Sequence, residues 1–498
     1  MKFKTRIIST AVAAAVGTFA GAAQAVNLGA DNQGQVLIYP YYTVQQKGGT
    51  AFDTYISVVN SDSVNGKAVK VRFLEGKNSI EVLDFNLYLS PNDMWTATVT
   101  RDASGNGRIR TVDNSCTAPE ILPVTGVSST TAGVERFASF VNFGYSGPAD
   151  AAKDESLGRA REGYVEIIQM ADIVPGLSTG GAPALNTFNA SLHNSAGVPP
   201  NCAAIRNAWL SNDYAGNDGV AAPTGMLAGA AVIINPIEGT DITYDAVAID
   251  RFSDVPQHFA PGSIQPQLSD VTPKNSAIFS GTDVVRTAWG LAVVPPAMPI
   301  SALFMRNSVQ NEYAIAAAPT GLGTDWVVTF PTKRQHISFA AAVDKAPFTS
   351  SLSSTGACEL TTLTSYNREE GIVTSGLIFS PPPAAGTNAL CWEVNVISMT
   401  NGGTTSNVLG GLTTRMTLAQ PFAEGWMRMD FAQTRPSPAA STTRTNIETG
   451  AVTAGLASVY TGLPVLGLAA VSFVNTGTLP NTNYGGSQSH RYSRFITP

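Results

Sequence analysis

Residues 68–73 read Ala-Val-Lys-Val-Arg-Phe, and this alternation decides the fold class. Val69, Val71 and Phe73 share one parity, and Lys70 and Arg72 share the other. Side chains change face at every residue of an extended chain, so the pattern predicts a strand with one buried and one wet face. Working outward, Val36-Leu37-Ile38-Tyr39-Pro40-Tyr41-Tyr42-Thr43-Val44 is aromatic and β-branched, with a proline that suits an edge or a bulge. Similar runs stand at 52–60, 81–89, 94–100, 136–143 and 163–170, and Asn65-Gly66, Glu75-Gly76 and Ser90-Pro91 mark turns between them. Further strands are predicted at 228–235, 243–249, 287–294, 326–330, 337–342, 376–379, 392–399, 426–431 and 468–474.

Composition agrees with many short strands. Only 13% of the 498 residues are charged, whereas Gly and Pro number 46 and 30; such a balance suits turn-rich β structure rather than long amphipathic helices. The predicted fold is all-β, with two or three antiparallel β-sandwich-like domains. Residues 176–224 are rich in Gly, Pro, Asn and Ala, with one short helical run at 202–210. They read as a connection between an N-terminal sandwich at 26–175 and a C-terminal β-rich region at 225–498. Short, unevenly spaced strands and the ending Arg494-Phe495-Ile496-Thr497-Pro498 fit a sandwich better than an outer-membrane barrel.

Lys2, Lys4 and Arg6 precede an apolar run at 7–22 that ends in Ala23-Gln24-Ala25. This is the layout of a signal peptide at 1–25, too short to remain as a membrane span. The mature chain is therefore expected outside the cytoplasm, at the cell surface, in the periplasm or in the medium. Its formal charge, −6 for the whole chain, becomes about −9 once the three basic leader residues are gone, and no basic run tracks a phosphate backbone. Nucleic acid is excluded as a partner; sugars, ions, other surface molecules or further copies of the chain remain.

Four cysteines, Cys116, Cys202, Cys358 and Cys391, allow three pairings. Pairing Cys116 with Cys202 and Cys358 with Cys391 keeps one bridge in each half and is the favoured reading. The spacings match neither a zinc ribbon nor a haem attachment.

Each candidate for chemistry has a plainer structural reading. Asp102-Ala103-Ser104-Gly105-Asn106-Gly107 places oxygen-bearing Asp102, Ser104 and Asn106 at alternate positions, with Asp113 where a twelfth-position acid would stand. That makes calcium the one ion worth testing, although the usual glutamate is missing and a hairpin turn explains the same residues. No other cofactor is predicted. Gly176-Leu177-Ser178-Thr179-Gly180 matches a nucleophile elbow with His193 downstream, but no helix follows the serine. His193, His258, His336 and His490 are widely separated. Arg368-Glu369-Glu370 and the pair Glu162 and Glu166 could supply carboxylates for glycoside hydrolysis, or could simply be solvated. Trp95, Trp289, Trp326, Trp392 and Trp426 adjoin strands; core packing is their simplest role, and a row of exposed rings would instead make a sugar platform.

Several segments together resemble a family of secreted, β-rich surface proteins of Gram-negative bacteria. They are Leu37-Ile38-Tyr39-Pro40-Tyr41-Tyr42, the stretch from Lys70-Val71-Arg72-Phe73 to Asp84-Phe85-Asn86-Leu87-Tyr88-Leu89-Ser90-Pro91, Thr324-Asp325-Trp326-Val327-Val328-Thr329-Phe330-Pro331-Thr332-Lys333, and Cys391-Trp392-Glu393-Val394-Asn395. The resemblance implies export and a β-rich build, and carries over no catalytic or binding residue. The expected function is a structural or adhesive cell-envelope or cell-surface protein, of the kind that assembles with itself in a surface layer and acts through contacts. The alternative is a secreted polymer-active enzyme or carbohydrate-binding protein.

Overall fold

The computed structural model describes residues 24–123, 134–146, 150, 154–236, 238–290, 295–316, 320–337, 345–375, 389–411, 415–431, 437–439, 441–456, 458–475 and 483–497. Residues 1–23 of the expected leader lie outside them, as do parts of the strands expected at 287–294 and 337–342 and all of 376–379. Among the described residues no helix is long and apolar enough to cross a membrane.

The chain is all-β, and its sheets are almost entirely antiparallel. The first sandwich has a seven-stranded sheet in the order Asn27–Leu28, Val247–Asp250, Val36–Thr43, Glu162–Ile173, Gly66–Glu75, Glu81–Leu89 and Cys116–Ala118. Its partner sheet has six strands: Arg136–Ser139, Gly107–Thr111, Met94–Arg101, Asp53–Asn60, Leu227–Asn235 and Thr240–Asp245. Ile56, Val58, Trp95 and Val99 of the second sheet join Val71, Phe73 and Phe85 of the first in one core. Pro40 sits at a bulge, as expected: the ladder with Glu162–Ile173 pairs Tyr42 with Gly163 and Tyr39 with Val165, so that Tyr41 and Pro40, the latter without an N–H to give, together oppose Tyr164.

Two expectations are corrected. Strand Gly66–Glu75 has no wet face; all ten residues are buried. Chain from 257 to 265 closes over the Lys70 and Arg72 side, with Asn86 Nδ2 donating to Phe259 O at 2.9 Å and Lys70 Nζ donating to Ser263 O. The cations are tolerated there because each meets a carboxylate: Lys70 pairs with Asp84, and Arg72 with Glu166 at 2.7 Å and Glu81 at 2.6 Å. The boundary expected at 225 also falls inside the first sandwich, because Leu227–Asn235 pairs with Asp53–Asn60 and Val247–Asp250 pairs with Val36–Thr43.

The connection at 176–224 packs on the outer side of the first sheet and carries helices Thr187–Ser191 and Cys202–Leu210, the second where it was predicted. Both favoured disulfides are present, Cys116–Cys202 and Cys358–Cys391. Ile205 and Ala208 of the second helix bury against Tyr88, Met170 and Ile173.

The C-terminal region forms a second sandwich. One sheet runs Thr404–Thr405, Val394–Asn401, Thr320–Thr329, Leu466–Asn475, Tyr484–Ser489, with Met416–Ala419 added in parallel to Val394–Asn401. The other has five strands in the order Ile372–Ser375, Thr362–Tyr366, Glu424–Asp430, Ser308–Ala314 and Arg491–Ser493. Val309, Tyr313, Met427 and Met429 of the five-stranded sheet meet Trp326, Val328 and Ile397 in the core.

Candidate functional site

The outer face of that five-stranded sheet follows from the period-two rule. In Glu424-Gly-Trp-Met-Arg-Met-Asp430, Met427 and Met429 enter the core, so Glu424, Trp426, Arg428 and Asp430 share the opposite face. Register then builds rows across the strands. Ile372 stands opposite Tyr366, Tyr366 opposite Trp426, and Trp426 opposite Glu312. The next row is polar: Thr374, Thr364, Arg428, Gln310 and Arg491.

Trp426 and Tyr366 stack face to face, with centroids 3.9 Å apart and planes 5° from parallel. Gly425 permits the close approach of their strands, since a Cβ there would lie 1.9 Å from Tyr366 O. Beside the pair lies an open groove of about 520 Å³, within the range of ligand sites. Trp426 lines it and Tyr366 does not, so tyrosine backs one face of the indole while the other fronts the groove. Two ion pairs complete the lining, Arg491–Glu312 at 2.6 Å and Arg368–Glu424 at 2.5 Å. The hydrogen bond from Arg491 holds the Glu312 carboxyl below the usual carboxylate range. Glycoside hydrolysis needs one carboxyl kept protonated as general acid, and the environment of Glu312 acts in the opposite direction.

The other candidates do not gather into a reactive site. Asp102 and Asn106 meet across a hairpin turn, where Asp102 Oδ1 accepts from Asn106 N at 2.9 Å. Ser104 lies exposed in that turn, and Asp113 stands beyond the far end of strand Gly107–Thr111, accepting from Ser115 N at 2.8 Å. Among the described residues no group of three or more His, Cys, Asp and Glu is placed to hold a metal. Ser178 lies in the loop between Ile173 and helix Thr187–Ser191, and His193 turns to Ser90 and Asp93 instead.

That Ser-His-Asp contact is not a relay. Ser90 Oγ and Asp93 Oδ2 both approach Nδ1 of His193, at 2.9 and 3.4 Å, whereas a triad uses opposite ring nitrogens. Glu162 contacts Tyr41 at 3.0 Å, and the buried Glu166 contacts Arg72, so the two carboxyls do not flank an open cleft. Glu369 and Glu370 are exposed in the turn between Tyr366 and Ile372. Of the six tryptophans, Trp95, Trp289 and Trp326 are buried, Trp209 and Trp392 are half-buried and Trp426 alone is exposed, at 36%. The sequence reading missed Tyr366, Glu312 and Arg491, whose partnership depends on cross-strand register.

The remaining histidines are held one by one. His258 bonds Tyr88 at 3.1 Å, His336 bonds Ser301 at 2.7 Å and Ala346 O at 2.7 Å, and His490 bonds Val327 O at 2.9 Å. Burial pushes His258 down to about 3 and His490 to about 4. Burial also pushes Glu393 up to about 8 against the Lys333 charge, and Glu166 up to about 7 against the Arg72 charge. Below pH 6.5 the unfolded histidines take protons that the folded ones refuse, so stability falls as pH drops toward 3. The two carboxyls keep protons that the unfolded chain releases above 4.5, so their contribution is complete below 4.5 and is lost as pH rises through 7 to 8. Each group changes stability by about 1.4 kcal/mol per pH unit, and two slopes of each sign cancel between about pH 4.5 and 6.5. Burial raises the carboxyls of Asp53, Glu81, Asp113 and Glu359 as well, so urea midpoints are expected to decline as pH rises from about 5 to 8 and to fall again toward pH 3. A midpoint that climbs steadily from pH 4.5 to 8 contradicts this balance.

Comparison with protein-family models, curated proteins and solved structures returns no match to this chain.

Proposed function

We propose that the chain is an exported protein of the cell envelope that acts by holding other surface molecules, an adhesive and structural role rather than bond-making chemistry. The carrying observation is the outward-facing Trp426, stacked on Tyr366 beside a groove lined largely by polar residues. A large ring left at the surface with its partner already in place costs little further ordering on binding. Export is supported by the leader-like start of the sequence and by two disulfides, which persist in oxidising compartments. Against the enzyme alternative stand the ion-paired carboxyls of the groove and the His193 contact, in which Ser90 and Asp93 meet the same ring nitrogen.

Fractionating cells that express the full chain, then incubating the purified mature protein with isolated envelope material, tests the reading. The processed chain is expected in the envelope or medium and is expected to bind that material, with binding reduced at least about tenfold in Trp426→Ala. A chain retained in the cytoplasm with its leader intact, or a variant that binds as well as the parent, refutes it.

A further inference from the structure

The walls of the groove say what kind of molecule it takes, granted the reading above that this face makes the contacts. One wall is flat and apolar: the open face of Trp426, held upright by Tyr366 at 3.9 Å. The rest of the lining is largely polar and includes two guanidinium–carboxylate pairs, Arg491 with Glu312 and Arg368 with Glu424. Each pair sets donors beside acceptors, which suits a ligand whose hydroxyl groups both give and accept hydrogen bonds. The two positive and two negative charges cancel within the groove, so a charged ligand gains nothing there from net attraction. A ligand with one apolar C–H face and a rim of uncharged hydroxyls satisfies both walls together.

We infer that the groove binds an uncharged pyranose glycan, one ring resting its C–H face on Trp426 while its hydroxyls bridge the Arg491–Glu312 and Arg368–Glu424 pairs. The groove is open rather than enclosed and reaches Gln310 of the neighbouring polar row. It therefore accepts an internal unit of a longer chain, not only a terminal sugar. The ion pairs serve two purposes. They present hydroxyl-binding atoms, and by compensating one another they remove the attraction for uronic or sialic acids that bare arginines would have.

The test is a binding screen of the purified mature chain on an array of neutral oligosaccharides and their uronic-acid counterparts, followed by calorimetric titration of the hits. Neutral glycans are expected to bind, and their affinity is expected to stay within about twofold between roughly 0.05 and 0.5 M salt, where attraction between unlike net charges would be screened. Trp426→Ala is expected to weaken binding at least about tenfold. The thermal midpoint should fall by only about 2–4 °C, the effect of losing one cross-strand aromatic pair. Glu312→Gln leaves Arg491 uncompensated, so it is expected to weaken neutral glycans and to bring in acidic ones. Preference of the parent protein for acidic glycans, with affinity falling as salt rises, overturns the inference. So does the absence of any glycan binding while envelope binding is still lost in Trp426→Ala, a result that leaves the contact face standing with another ligand. Envelope binding that survives Trp426→Ala removes the contact-face reading itself.

Discussion

Replacing Arg159 with alanine is expected to lower stability by about 3–5 kcal/mol, the range for removing one partner of a buried ion pair. Arg159 has no exposed side-chain surface, and neither do the two carboxylates it meets. Its Nε and Nη2 donate to Glu75 at 3.1 and 2.9 Å, its Nη1 donates to Asp150 at 2.8 Å, and its plane lies 4.2 Å over the Tyr145 ring. Without the guanidinium, two negative groups remain in a site that water does not reach. Urea unfolding of the purified chain reads the change, and a loss under about 1 kcal/mol contradicts this account of the site. Lys77–Asp154 is the control in the same region. It is bonded at 2.9 Å, but its side chains are 35% and 38% exposed, and Lys77→Ala is expected to cost less than about 1 kcal/mol.

Loss of the first disulfide is expected to have an effect of comparable size. Cys116 and Cys202 close a loop of 86 residues, and the chain-entropy relation assigns such a crosslink roughly 4–5 kcal/mol. The 33-residue loop between Cys358 and Cys391 is assigned somewhat less, roughly 3.7 kcal/mol. The ranking has a structural reason as well, because Cys202 opens the helix Cys202–Leu210 that covers Tyr88 and Met170. The double variant Cys116→Ser/Cys202→Ser is therefore expected to fall further in urea midpoint than Cys358→Ser/Cys391→Ser. Its Trp209 should also be more accessible to a fluorescence quencher. The reverse order of midpoints contradicts the argument.

The fold class was legible because period two is a local signal. Val69, Val71 and Phe73 announced a strand from six residues, and the disulfide pairing followed from keeping each bridge within its half. What lay beyond reach was the environment of the second face. Lys70 looks solvated until chain from about 190 residues further on closes over it, and Arg72 until Glu166 comes alongside from a distant strand. The return of strands at 227–250 to both sheets of the first sandwich was hidden for the same reason, since non-local pairing leaves no mark on a short window.

Part of the groove was nevertheless readable. Trp426 shares parity with Glu424, Arg428 and Asp430, not with Met427 and Met429, so alternation alone puts it among the polar set. Trp326, in phase with Val328, belongs to the buried set by the same rule. Tyr366, Glu312 and Arg491 carried no comparable mark, because they come from three other strands and meet the tryptophan only through register.

The charged pairs under the cover at 257–265 bear on how the first sheet chooses its alignment. Sliding Glu162–Ile173 by two residues along Gly66–Glu75 keeps every side chain on its own side, so greasy-in and polar-out patterning does not forbid it. The slide would set Arg72 against Ile168 or Tyr164 instead of Glu166, stranding a guanidinium and a carboxylate apart in a dry layer. The ionic row thus works like the notches of a key, admitting one translational setting among several that grease alone would accept.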